Sequence, residues 1–242
     1  FGAVQNEIAL ESERNTQSFN RIKEWVPIVP ASATRSLVKL FILGPSKSGK
    51  SSLEHLLRKT PRVKPLFEAL TLSNLLDANI NKKNSSVPLF DSVFVHSESD
   101  LLLRGYEVAT STNPQSVFYA DYLLDMLPNT YFLVVHRNVE DLAAEIFTEE
   151  YNAGNHYSYD ITAISSYLSV YKNICELLTA KAPSRCLTLN FEDIVEKPEA
   201  VVGRIGELAS KRFEAGSQNS KNTKIATASI FRDHVAKFRG EY

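Results

Sequence analysis

Between Gly44 and Ser51 the chain reads GPSKSGKS, two glycines separated by four residues and followed by a lysine and a serine. This is the G-x-x-x-x-G-K-[ST] spacing, and its chemistry is the binding of phosphate. Gly44 and Gly49 let the backbone wrap an anion closely, and Ser46, Lys47 and Ser48 form the loop around it. Lys50, Ser51 and Ser52 add an ammonium and two hydroxyls where a helix should start. Such a loop works only between a buried strand and a helix, because successive N–H groups and the helix N-terminus must converge on one point. The flanking residues meet that demand: LVKLFIL (37–43) is almost wholly apolar and SSLEHLLRK (51–59) reads as a helix. A phosphorylated ligand is therefore expected. It is either a nucleoside triphosphate whose phosphoryl group moves or a nucleotide carrying a different group.

The rest of the chain supplies elements that would position this loop. Residues 1–30 carry a helical pattern, with Val4, Ile8, Phe19, Ile22 and Trp25 among polar residues, and it stops at Pro27 and Pro30. This predicts an N-terminal helical lead-in (1–30) to a P-loop domain (31–242). PRVKPLFEAL (61–70) is a proline-punctuated connection that drifts into a polar loop. FYADYLLDML (118–127) predicts a helix closed by Pro128 and Asn129, and YFLVVH (131–136) predicts a strand buried on both faces. Helices follow over NVEDLAAEIFTEEY (138–151) and along the stripe Ile161, Ile164, Leu168, Tyr171, Cys175 and Leu178. CLTLNFEDI (186–194) predicts a strand running into an acidic turn, and Pro198 opens the helix PEAVVGRIGELAS. Strands alternating with helices predict an α/β fold, a P-loop-containing parallel sheet flanked by helices.

Composition narrows the partners. With 43% apolar and 23% charged residues the 242-residue chain suits one sizeable soluble α/β domain. The net charge of −1 offers no bulk basic field for nucleic acid, so any anion site must be local. Cys175 and Cys186 are too few for a disulfide framework, and the five histidines have no metal spacing, so no metal is expected and a reducing, cytoplasmic setting is. No apolar run approaches the roughly 18 residues of a membrane span. The start at Phe1 is read as a piece of a longer chain with flanking domains.

Six stretches in order resemble the sulfotransferases that use 3′-phosphoadenosine 5′-phosphosulfate (PAPS). They are SFNRIKEWVP, LFILGPSKSGKSSLEHLL, TPRVKPLFE, NPQSVFYADYLLDMLPNTYFLVVHRNVEDL, LNFEDIVEKPEAVV and TASIFRDHVAKFRGEY. The likeness is to the bacterial branch often fused to tetratricopeptide repeats and related to tyrosylprotein sulfotransferases. It implies PAPS as donor and a hydroxyl acceptor of carbohydrate or glycan type, such as a polysaccharide. By the resemblance Lys47 touches the transferring group and Glu68 is the general base. Arg137, at the end of the apolar strand, holds the 3′-phosphate, and Ser229 and Lys237 lie near the donor, with Arg232 a weaker candidate.

Five positions depart from the family pattern. Lys50 stands where the family has Thr, and the Asp-Lys before the family's proline reads Ser111-Thr112. The phosphate-binding serine eight residues after the arginine is Glu145, and four further on stands Glu149; a carboxylate there opposes phosphate. Two other readings therefore stay open: an ATP-using P-loop enzyme with Lys50 in its usual role, or a sulfotransferase fold that binds without catalysing. A plain salt bridge from Arg137 to Asp141 is the structural alternative to a phosphate clamp, and Lys47 and Lys50 are both expected to face solvent.

Overall fold

The computed structural model describes residues 2–28, 37–66, 98–151 and 154–211. Five strands, β1 (Val38–Leu43), β2 (Val63–Pro65), β3 (Val108–Ser111), β4 (Thr130–His136) and β5 (Cys186–Asn190), form one sheet in the order β2-β3-β1-β4-β5. Every pairing is parallel, with Phe41 opposite Ser111 on one side and Phe132 on the other. The chain is thus an α/β protein with a parallel sheet flanked by helices, and β1 at its centre launches the P-loop.

Alternation along the central strands divides the core in two. Phe41 and Leu43 of β1, with Phe132 and Val134 of β4, face one layer, while Leu40 and Ile42, with Leu133 and Val135, face the other. The first layer holds α1 (Gly2–Glu24), α3 (Ala120–Met126), α4 (Val139–Thr148) and α5 (Ile161–Lys181); the second holds α2 (Lys50–Leu57), α6 (Phe191–Glu196) and α7 (Pro198–Ala209). Strands covered on both faces read as continuous apolar runs, which is why β1 and β4 were visible in the sequence.

α1 packs along α5, with Ile22 fully buried in the first layer. Its end is tied down by Arg21 to Asp121 (2.7 Å), Trp25 Nε1 to Asp125 Oδ2 (2.7 Å) and Lys181 Nζ to Trp25 O (2.5 Å). Both thiols are buried, and burial pushes Cys186 up to about 12, so it stays protonated at neutral pH.

Three elements differ from the sequence expectation. The proline-punctuated connection contains β2, a three-residue edge strand whose last residue is Pro65, where a missing N–H costs little. The acidic turn after β5 is the short helix α6. The helix expected to continue to Tyr151 ends at Thr148, and Glu149 is already extended (φ −84°, ψ 136°). Among the described residues no helix is long and apolar enough to cross a membrane.

Candidate anion-binding site at the P-loop

The loop leaves the C-terminal end of β1 and meets α2 at Gly49, whose φ of 99° is the left-handed region that favours glycine. A side chain there is excluded twice over, because a Cβ would stand 2.3 Å from the Phe191 ring. Gly44 is needed for a different reason. Its missing Cβ leaves room for the Ser48 hydroxyl, which would lie 2.2 Å away. Lys47 also takes a left-handed conformation (φ 65°), tightening the turn so that the loop folds back over the helix start. The N-cap of α2 is Gly49, which has no side chain to cap the first turn.

The Ser48 hydroxyl is fully buried and has no hydrogen-bond partner. Buried polar groups are nearly always satisfied, so an orphan hydroxyl inside the P-loop is an exception. Above it the Gly44 N–H donates to the Tyr171 hydroxyl (2.8 Å), which donates in turn to Pro114 O (3.3 Å). Burial holds the Tyr171 phenol well above its ordinary value, so it stays neutral and keeps this relay. The side chain of α5 thereby fixes the start of the loop.

Three cations surround the loop. Lys47 Nζ lies 2.6 Å from Glu149 Oε2. Lys50 is not solvent-facing, contrary to the sequence expectation. It is 5% exposed, and its ammonium donates to Pro45 O (2.7 Å), so the loop's own carbonyl draws it inward. Arg137, just past β4, donates to Lys47 O (2.7 Å) and to Glu145 Oε1 (2.6 Å), and its guanidinium lies 4.8 Å from the Phe191 ring centre. Its carboxylate partner is therefore Glu145 rather than Asp141. Asp141 sits in the first turn of α4, where Asn138 accepts from its backbone N–H.

The geometry brings together Gly44, Ser46, Lys47, Ser48, Gly49, Lys50, Arg137 and Glu145, with Ser51 and Ser52 exposed on the first turn of α2. Glu68, Ser229, Arg232 and Lys237 lie outside the described residues. Sequence reasoning missed three members. Phe191 had a usable signal, since it directly follows an apolar strand at the same sheet edge. Tyr171 was read only as part of an apolar stripe. Tyr151, whose hydroxyl donates to Ser46 Oγ (2.8 Å), carried no signal at all.

Thr110 and Thr112, at the adjacent end of β3, donate to the fully buried carboxylate of Glu54 on α2. Of the Ser111-Thr112 pair, Thr112 thereby helps hold α2 against the sheet. Among the described residues no group of three or more His, Cys, Asp or Glu is placed to hold a metal ion.

The loop and Arg137 end adjacent strands on one edge of a parallel sheet, beside the central strand where the order changes direction. That is where open α/β sheets take ligands. Among solved structures the chain is similar to the sulfotransferase domain of the Synechococcus PCC 7002 olefin synthase, with 15% identity, 85% of this chain and 86% of that one covered, and a TM-score of 0.50. It is also similar to a sulfotransferase from Alicyclobacillus acidocaldarius, with 16% identity, 84% and 94% covered, and a TM-score of 0.45. No curated protein matches the chain. The family model described as "Sulfotransferase family" matches residues 39–214, most of the chain. The chain belongs to the sulfotransferase family.

Proposed function

We propose that the protein moves a sulfuryl group from PAPS to a hydroxyl of a carbohydrate or glycan-type acceptor. Family membership supports transfer of this group, and the observation that carries the donor reading is a P-loop with an unpartnered Ser48 hydroxyl, ending at a glycine N-cap of α2. In this reading the acceptor oxygen attacks sulfur, the bond from sulfur to the leaving phosphate oxygen breaks, and the charge gathering on that oxygen is met by Lys47, Lys50 and the P-loop amides. Glu68 takes the acceptor proton, Ser229 and Lys237 approach the donor, and Arg137 serves the 3′-phosphate. By the resemblance the branch is the repeat-linked one, and the proposed setting is cytoplasmic.

An ATP-using enzyme is the second reading, favoured by one observation. Arg137 is already paired with Glu145, and ATP, lacking a 3′-phosphate, asks nothing of that arginine. Calorimetric titration with 3′,5′-adenosine bisphosphate and with ATP and Mg²⁺ separates the two. Heat from the bisphosphate and little from ATP is the expected result. ATP binding without bisphosphate binding would replace the donor, and silence from both would leave a non-catalytic domain of the same fold.

A further inference from the structure

The two carboxylates of the α4 segment hold their cations with unequal grip. Glu145 sits on Arg137 in a sheltered pair, with side chains 21% and 8% exposed, and the guanidinium is held additionally by Lys47 O and the Phe191 ring. Glu149 sits on Lys47 in an open pair, with side chains 43% and 31% exposed. It lies on extended backbone beyond the helix end, and two residues later Tyr151 latches onto Ser46.

We propose that Glu149 is the internal anion an incoming phosphate displaces from Lys47, and that Glu145 is a specificity-determining residue that contests a second phosphate at Arg137. The half concerning Glu145 rests on the 3′-phosphoadenosine donor proposed above; the half concerning Glu149 needs only an anion at the P-loop. An exposed ion pair contributes little, so exchanging Glu149 for phosphate releases a carboxylate into water at small cost. The pair at Arg137 is poorly screened and its arginine has three partners. A phosphate arriving there must remove Glu145 or share the guanidinium with it, placing like charges side by side. One anionic group then binds readily and a second only weakly. The ratio between nucleotides with and without a 3′-phosphate is set by Glu145.

The test is calorimetric titration of pyrophosphate, adenosine 5′-monophosphate and 3′,5′-adenosine bisphosphate into the wild type, Glu149→Gln and Glu145→Gln. Glu149→Gln should tighten all three ligands alike, by about fivefold. Glu145→Gln should leave pyrophosphate and the monophosphate within about twofold while raising the preference for the bisphosphate about tenfold. Bisphosphate binding that neither variant alters overturns the inference and leaves the donor reading standing. Tightening of pyrophosphate by Glu149→Gln, with no variant preferring the bisphosphate, sinks the donor reading and the role of Glu145 together but keeps that of Glu149. Equal tightening of every ligand by both variants contradicts the unequal grip, and no binding by any variant overturns both ideas. Glu149 lies in an exposed pair, so Glu149→Gln with pyrophosphate decides its half of the proposal even should Glu145→Gln not fold.

Discussion

At the N-terminal edge of the sheet Arg185 donates to three backbone carbonyls, Leu124 O, Leu127 O and Thr130 O, and Lys39 donates to Leu37 O and Pro128 O while facing Glu98. At the C-terminal edge Lys47 and Arg137 are met by carboxylates of one short segment, Glu149 and Glu145. Both edges hold buried or half-buried cations, but the partners differ in what they can do. A backbone carbonyl cannot leave, so Arg185, held by three of them, braces the fold. A carboxylate on a rotatable side chain can be exchanged for a ligand's oxygen. The net charge of −1 hides this division, because acids that neutralise the functional edge are counted with acids that brace the fold.

The comparison is broken most easily at its rigid end. Arg185→Ala removes three hydrogen bonds from a charged donor to carbonyls of α3, of the turn after it and of the start of β4. It should cost about 3 kcal/mol of stability in urea unfolding, with anion affinity unchanged in the folded fraction. At the exchangeable end Lys47→Ala should do the reverse. Pyrophosphate affinity should fall by about 2 kcal/mol in calorimetry, since a charge-assisted contact is lost. Stability should move by no more than about 0.5 kcal/mol, because the pair with Glu149 is exposed. A Lys47→Ala protein as unstable as Arg185→Ala would erase the distinction.

The smallest effect sharpens it. Burial raises Glu11 above the ordinary carboxylate value, against the lowering by His156 and Arg14 and by a backbone hydrogen bond at Tyr157, and its Oε2 has no partner. A raised folded value means the protonated form favours the fold. Its contribution is full below about pH 4.5, the ordinary carboxylate value, and is lost as pH rises through the raised one. Glu11→Gln mimics the protonated form, so it should melt higher at pH 7, by no more than about 2 °C, and no higher than the wild type at pH 4. Equal gains at both pH values would show that burial of charge is not the cause.

The legible parts of this molecule were those whose physics is local. The P-loop spacing, the runs of β1 and β4 and the stripe of α5 each follow from periodicity or from glycine geometry, and all stand in the structure. β3 was not legible. Four residues, VATS, carry too little apolar pattern, and its Thr110 is stabilised by Glu54 from a helix 56 positions away. The partners of the cations were illegible for the same reason. Which carboxylate reaches Arg137 depends on how α4 packs on α5, and Lys50 turns inward onto Pro45 O, a partner set by the fold of the loop.

The most direct test of the central claim is a crystal structure of the protein with 3′,5′-adenosine bisphosphate. The expected complex has a phosphate within about 3 Å of both Ser48 Oγ and Lys47 Nζ, with Glu149 moved off the lysine. A ligand bound elsewhere, with Lys47 and Glu149 still 2.6 Å apart, would contradict it.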